Sequence, residues 1–181
     1  MPRPTSLLLV LLIFGFASCE LLHDEVYEEP ITSLTYILTP DSGTTVVLQY
    51  LDGDGEGGRP ALVSSGTLQP NSTYSGQLQL NTIGKHFIDS TSVAQEPELH
   101  QVFFLAQNGL RITTHYNDRD SNGFPVGLNS VLTTGTTSTG KLNLIIKHAP
   151  DKHANGVAEG DLTHAGGSTD LEVSFDVAIA Q

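Results

Sequence analysis

The chain has 181 residues, of which 38% are hydrophobic and 15% are charged, and its formal net charge is -12. This length fits one domain or two very small ones. The single Cys excludes a disulfide within the chain and a cysteine-based zinc cage. The acidic balance argues against a nucleic-acid partner, because binding to nucleic acid requires a basic surface.

The first residues have the pattern of a bacterial lipoprotein signal. Arg3 is the only charged residue before Glu20, and an unbroken apolar run extends from Leu7 to Phe14. This run is too short to span a bilayer, which takes about 20 residues. The tetrapeptide Phe-Ala-Ser-Cys that ends at Cys19 resembles a lipobox, in which cleavage precedes the Cys and acyl chains are attached to it. We therefore predict a signal peptide over residues 1–18 and a lipid anchor at Cys19; an ordinary signal peptide is the alternative.

Residues 19–30 are predicted to form an acidic tether between the lipid anchor and a folded domain at residues 31–181. The tether has five acidic residues and no Lys or Arg. Like charges repel one another and extend such a segment. Its acidic residues are Glu20, Asp24, Glu25, Glu28 and Glu29.

From residue 31 onward, apolar and polar residues alternate in short segments, which is the period of a half-buried β-strand. Turns rich in Gly, Asp, Asn and Pro separate these segments. The pattern predicts an all-β fold, an antiparallel immunoglobulin-like β-sandwich of about seven strands. The predicted strands are Thr32–Leu38, Thr44–Leu51, Tyr74–Leu80, Leu99–Leu105, Leu110–Tyr116, Lys141–His148 and Asp170–Ala180.

Three local features refine this prediction. Leu99–Leu105 is apolar on both faces, which predicts a central strand. Gly76 interrupts the strand at Tyr74–Leu80 and predicts a bulge. Gly84–Pro97 and Ala149–Gly167 lack the strand pattern, so we expect an irregular crossover and a long loop.

Two acidic turns are candidate calcium sites. The first contains Asp52 and Asp54, and the second contains Asp118, Asp120 and Asn122. Oxygen ligands at alternate positions before a Gly suit Ca²⁺, which takes six to eight oxygens. The closing Glu of an EF-hand is absent, and Asp and Gly are also frequent in turns that bind no metal. Both interpretations stay open.

The histidines suggest a second kind of metal site. His148 continues the inward face of its strand, and His148, His153 and His164 lie in or beside one long loop that also contains acidic residues. Imidazole and carboxylate ligands suit Zn²⁺ or Cu²⁺. None of the spacings is a recognised ligand pattern, so a hydrogen-bonded His at the edge of the core is the alternative.

Enzyme motifs are scarce, and we expect a protein without enzymatic activity. The chain has no Gly-x-Ser-x-Gly, no phosphate-binding loop and no His-Glu-x-x-His. One enzymatic alternative is a hydrolase of envelope glycans that uses paired carboxylates such as Asp118 and Asp161. It requires the two carboxyl groups to lie roughly 5–9.5 Å apart.

A family resemblance depends on five blocks of the mature chain: Tyr50–Gly55, Leu99–Phe104, Asn122–Leu128, His148–Lys152 and Gly160–Asp170. Together these blocks resemble a family of small uncharacterised lipoproteins from Bacteroidota. The most specific block is Gly160–Asp170. Members of this family are often labelled as having a type 1 periplasmic binding fold, which alternates strands with helices in two lobes; the period-2 segments predict a β-sandwich instead.

The resemblance implies a lipoprotein of the outer membrane that acts as a binding or accessory module, with a TonB-dependent receptor as a possible partner in nutrient or metal uptake. The leaflet that holds it stays open. His100 and His148 are the best candidates for a shared metal site, because both lie at predicted strand ends. Asp161 and Asp170 flank the Gly-rich part of the most specific block and would complete that site.

Overall fold

The structure is a computed structural model, and it describes residues 31–55, 57–81, 93 and 96–181. The predicted signal peptide, the lipidated Cys19 and the acidic tether lie outside these residues. Most of the predicted crossover at Gly84–Pro97 also lies outside them. Within the described residues, no helix has the length and hydrophobicity that a membrane crossing requires.

The described chain folds into two β-sheets that enclose one core, which confirms the all-β sandwich. One sheet has six strands in the order β3-β2-β1-β5-β8-β7, and the other has four in the order β4-β10-β9-β6. The pairs are antiparallel except β4 and β10, which are parallel. The strands are β1 Ser33–Pro40, β2 Val46–Leu51, β3 Leu62–Val63, β4 Gly66–Leu68, β5 Thr73–Asn81, β6 His100–Gln107, β7 Ile112–Tyr116, β8 Asn129–Thr134, β9 Ser138–His148 and β10 Ser168–Ile179.

The seven predicted strands correspond to β1, β2, β5, β6, β7, β9 and β10. Their alternating residues face the interior as the period-2 pattern requires. In β1, Leu34, Tyr36 and Leu38 are completely buried. In β9, which lies in the facing sheet, Leu142 and Leu144 are also completely buried, and they belong to the same core cluster.

The sequence analysis did not predict strand β8, because two of its three inward-facing residues are polar. Ser130 is buried and its Oγ lies 2.7 Å from the Tyr36 hydroxyl. Thr134 is buried and its hydroxyl donates to the carbonyl oxygens of Gln69 and Ser72. Burying a hydroxyl group is costly unless it is hydrogen-bonded, and these hydrogen bonds remove that cost. Polar residues can therefore occupy the inward face of β8, and the strand lacks the alternation of apolar and polar residues that would have predicted it.

The prediction that Leu99–Leu105 forms a central strand was wrong, because β6 lies at the edge of its sheet. Its two apolar faces have different partners. Val102 faces the main core between the sheets. Phe103 packs on the opposite face of the sheet in a second cluster with Ile145 and Val157. The long loop at residues 149–167 supplies Val157 and covers this outer face.

The prediction of a bulge at Gly76 was also wrong. Gly76 pairs in register with Leu38 on one side and with Ser130 on the other. A Cβ at this position would lie 2.5 Å from the Ser130 Oγ and 2.6 Å from the Tyr36 hydroxyl oxygen. The missing side chain therefore makes room for the buried hydrogen bond between Tyr36 and Ser130, which crosses over β5.

We predict that Gly76→Ala lowers the free energy of unfolding by about 1–3 kcal/mol, the usual cost of overpacking a core. The added methyl group forces Tyr36 and Ser130 apart. Urea unfolding followed by circular dichroism measures the change. Gly53→Ala is the matched control, because a Cβ there meets no atom within 4 Å. Equal stability of the two variants would contradict the prediction.

Candidate functional site

The candidate metal centre lies at one end of the sandwich, where the four-stranded sheet brings two histidines side by side. His100 is the first residue of β6 and His148 is the last residue of β9. The antiparallel register places them directly opposite each other. His148 is also opposite Ser168, the first residue of β10. The prediction that His148 faces inward at a strand end is consistent with this register.

A register shift in β10 adds the third member of the group. Thr169 pairs with Lys147 and Leu171 pairs with Ile146, which are consecutive residues of β9 in reverse order. Asp170 is therefore an extra residue that has no paired residue on β9. Such bulges change the direction of a side chain at the end of a sheet. The Asp170 carboxylate lies beside the two imidazoles as a result.

The three side chains converge to within metal-binding range. The His100 Nε2 lies 3.2 Å from the His148 Nδ1 and 4.0 Å from the Asp170 Oδ2. One ligand atom from each of the three residues lies within 4.8 Å of the others. The side chains of His100 and Asp170 are 11% and 14% exposed, so both are largely shielded from solvent.

A backbone hydrogen bond orients His100 for this role. The His100 Nδ1 lies 2.9 Å from the carbonyl oxygen of Glu96. A carbonyl accepts and cannot donate, so Nδ1 carries a proton, and in the neutral ring the Nε2 has the lone pair and accepts the hydrogen bond from the His148 Nδ1. Metal-binding histidines have this arrangement, in which the second ring nitrogen donates to a carbonyl and fixes the ring.

The donor set is that of a divalent metal with nitrogen and oxygen ligands. Zinc–ligand bonds of about 2.0–2.1 Å in a tetrahedron separate the ligand atoms by about 3.3 Å. The 3.2 Å between the two imidazole nitrogens is close to that spacing, and because the three ligand atoms lie within 4.8 Å of one another, the carboxylate has to approach by up to about 1.5 Å. Three protein ligands leave a fourth position for water or another small ligand.

Gly167 allows the chain to reach this arrangement. It has a φ of +62°, and a Cβ there would collide with the carbonyl oxygens of His148 and Ala149. Only glycine tolerates both the left-handed backbone and the close approach. The chain can therefore turn tightly from the long loop into β10, which places Asp170 beside His148.

Next to the metal centre, a buried lysine ties three segments together. The Lys152 Nζ donates to the Asp120 Oδ2 at 3.0 Å and to the carbonyl oxygens of Pro97 and Pro125 at 2.6 and 2.9 Å. The side chains of Lys152 and Asp120 are only 4% and 1% exposed. Pro97 lies between Glu96 and His100, so this ammonium also fixes the segment that orients the histidine.

In the second predicted calcium turn, the carboxylates have partners within the protein. Asp120 accepts hydrogen bonds from the backbone N–H groups of Asn122 and Phe124 as well as from Lys152. Asp118 accepts from two backbone N–H groups, of Gly127 and Asn129. The Lys152 ammonium therefore lies against the Asp120 carboxylate, where the predicted turn would hold a cation.

The first predicted calcium turn is more exposed and has local partners. Asp52 accepts a hydrogen bond from the Gly55 N–H, which is ordinary turn chemistry. Asp54 forms an ion pair with Arg59 at 3.2 Å. Among the described residues, neither carboxylate belongs to a group of three potential ligands.

Asp161 does not join the group of His100, His148 and Asp170. Its Oδ1 accepts from the backbone N–H and the hydroxyl group of Thr163, and this hydroxyl is the largest cause that lowers the pKa of Asp161. A general acid in glycan hydrolysis needs a raised pKa. The shift is therefore in the wrong direction for Asp161 to be the acid of the predicted pair with Asp118, whose own carboxylate accepts two backbone hydrogen bonds.

The sequence analysis did not identify two residues of this region as part of a site, Glu96 and Lys152. Glu96 contributes only its backbone, which no side-chain pattern reveals. Lys152 belongs to a block that resembles the lipoprotein family, but nothing in the sequence marks it as buried. A lysine among acidic loop residues ordinarily indicates a solvated surface. The two other histidines of the long loop lie outside the group: His153 packs edge-on against Phe124, and His164 is exposed.

Comparison with protein-family models, curated protein sequences and solved structures found no match to this chain. The resemblance to small Bacteroidota lipoproteins therefore stays a prediction. The arguments about the site depend on its own geometry.

We predict that Lys152→Met lowers the free energy of unfolding by about 3–5 kcal/mol, because it leaves the buried Asp120 without a counter-charge. The double variant Lys152→Met/Asp120→Asn should recover part of this loss. Chemical denaturation measures both. Lys141→Met is the matched control: its partner Asp176 is exposed, and exposed pairs contribute about 0–1 kcal/mol. Equal losses in the two single variants would contradict the role given to Lys152.

The same ion pair predicts destabilisation by acid. Burial raises the pKa of Asp120, but the hydrogen bonds from Lys152 and from the backbone outweigh it and hold this pKa below its ordinary value of 3.8. Because the folded-state pKa is the lower one, the stabilisation is complete above the ordinary pKa and is lost as the pH falls through the folded-state pKa. Unfolding free energies measured from pH 6 to pH 3 should therefore fall less steeply for Lys152→Met/Asp120→Asn than for the wild type.

Proposed function

We propose that this protein is a lipid-anchored module of the bacterial outer membrane that binds a zinc ion through His100, His148 and Asp170 and has no enzymatic activity. The lipobox-like sequence at Cys19 supports the anchor. The convergence of the two imidazoles and one carboxylate supports the metal. The resemblance to Bacteroidota lipoproteins suggests an accessory role beside a TonB-dependent receptor.

One observation carries the zinc assignment: the His100 Nδ1 donates a hydrogen bond to the carbonyl oxygen of Glu96, which places the lone pair of the neutral ring on the Nε2, toward His148 and Asp170. The His100 Nε2 is also within hydrogen-bond distance, 3.2 Å, of the His148 Nδ1, and a metal ion would take the place of the proton between these two nitrogens. The arrangement brings two neutral donors and one anion to the same point.

Zinc is favoured over the other metals considered. Ca²⁺ prefers six to eight oxygen ligands, and this group offers two nitrogens. Cu(I) prefers thiolate and thioether ligands, and residues 31–181 contain neither Cys nor Met. Cu²⁺ prefers a square-planar arrangement, whereas the 3.2 Å between the imidazole nitrogens fits a tetrahedron.

We predict that the mature protein binds one equivalent of Zn²⁺, and that His148→Ala weakens binding by more than about 100-fold, the upper end of what loss of an outer-shell partner costs. Isothermal calorimetry on the full mature chain measures the affinity. X-ray absorption should show two nitrogen ligands and oxygen ligands at about 2.0–2.1 Å. His164→Ala is the control, because this histidine is exposed and lies outside the group.

Parallel titrations with Ca²⁺ and Cu²⁺ complete the test. Stoichiometric Ca²⁺ binding that Asp120→Asn abolishes would reinstate the acidic turns as the metal site. Unchanged zinc affinity in both His148→Ala and Asp170→Asn would overturn the proposed ligand set.

A further inference from the structure

A second feature lies at the edge of the six-stranded sheet. Five large hydrophobic side chains are exposed among the described residues, and four of them belong to the neighbouring strands β2 and β3. Leu62 is the most exposed at 70%. It pairs directly with Leu51, which is 40% exposed. We call these four residues the edge patch: Val47, Leu51, Leu62 and Val63.

The edge patch lies where the N-terminal segment enters the sheet. The Asp52 N–H donates to the Thr32 carbonyl at 2.8 Å, and Ser33 pairs with Leu51. Neighbouring strands lie about 4.8 Å apart, so Leu62 on the next strand is roughly 10 Å from the entry point. The 12 residues from Cys19 to Pro30 span at most about 40 Å when fully extended.

We propose that the edge patch docks on the lipid surface to which Cys19 is anchored; this inference rests on the lipid anchor of the proposed function. A tether this short keeps the domain at a high local concentration beside the bilayer, so even a weak apolar contact is populated. Three of the four side chains, Val47, Leu51 and Leu62, are on the outward face of the sheet, so the sheet edge can approach the bilayer without unfolding.

The surrounding charges specify the kind of lipid. Asp52 and Asp54 follow the patch directly, and the tether adds five acidic residues. Arg59 is the nearby cation, and it is paired with Asp54. An anionic surface repels this corner of the domain, so the patch contacts a zwitterionic bilayer through its aliphatic side chains alone.

The test uses the full mature lipoprotein in phosphatidylcholine vesicles that contain a nitroxide-labelled lipid. Cys19 is the only Cys, and acylation removes its thiol, so Leu62→Cys provides one site for a polarity-sensitive fluorophore. The nitroxide should remove about half of the emission, because a side chain about 5–10 Å into the headgroup boundary lies within its reach. The control label, Thr137→Cys, is exposed at the opposite end of the sandwich and should be unaffected.

A second substitution identifies the contact. Leu51→Ser in the Leu62→Cys protein should reduce the quenching, whereas Gln49→Ser on the same face of β2 should not. Both positions are exposed, and a thermal melt verifies that the fold is retained. Replacing part of the phosphatidylcholine by phosphatidylglycerol should also reduce the quenching.

Three results would overturn the inference, and they are distinguishable. Equal quenching at positions 62 and 137 would show that the patch has no preferred contact with lipid. A blue shift at position 62 without quenching, which grows with protein density, would assign the patch to a second copy of the chain. Failure of the wild-type protein to float with the vesicles would show instead that the lipid anchor is absent, and the inference would fall with it.

Discussion

The buried ammonium of Lys152 is the constraint on which this end of the molecule depends. Its three acceptors belong to two separate segments, one at Pro97 and one in the turn that contains Asp120 and Pro125, and the lysine itself adds a third segment. Loops without regular structure rarely hold one another in place, because their backbone groups ordinarily face water. Here the Lys152 ammonium supplies the hydrogen bonds that a helix or a strand would otherwise provide. By holding Pro97 in place, it also fixes the segment that precedes His100.

The candidate metal centre combines two kinds of structure. His100 and His148 are cross-strand neighbours, so the sheet itself sets the distance between them. Asp170 depends on an irregularity: one extra residue in β10 and a tight turn at Gly167 bring it to the same place. Ligands on a rigid sheet hold their geometry better than ligands on loops. The bulge adds the Asp170 carboxylate, which would point in another direction if β10 paired regularly with β9.

Much of the sandwich could be predicted from alternation alone, because burial of one face imposes a period of two on each strand. Strand β8 could not, since its inward Ser130 and Thr134 satisfy their hydroxyl groups through partners that lie far away in sequence. The edge position of β6 was missed for a related reason: the sequence shows that both faces are buried, but not that a loop covers one of them. The sequence analysis selected His100 and His148 because both lie at strand ends. Their direct pairing could not be predicted, because it depends on the register between β6 and β9, which neither segment shows on its own.

The position of Asp170 on the last strand has a consequence for how the protein folds. Its neighbours His100 and His148 lie 70 and 22 residues earlier in the chain, and β10 is enclosed by β9 on one side and by β4 on the other. Contacts of such long sequence separation form slowly, because a large loop must close before they are made. The candidate metal centre is therefore completed only when the last strand pairs, and a chain in which β10 has not yet joined the sheet has the two imidazoles without the carboxylate.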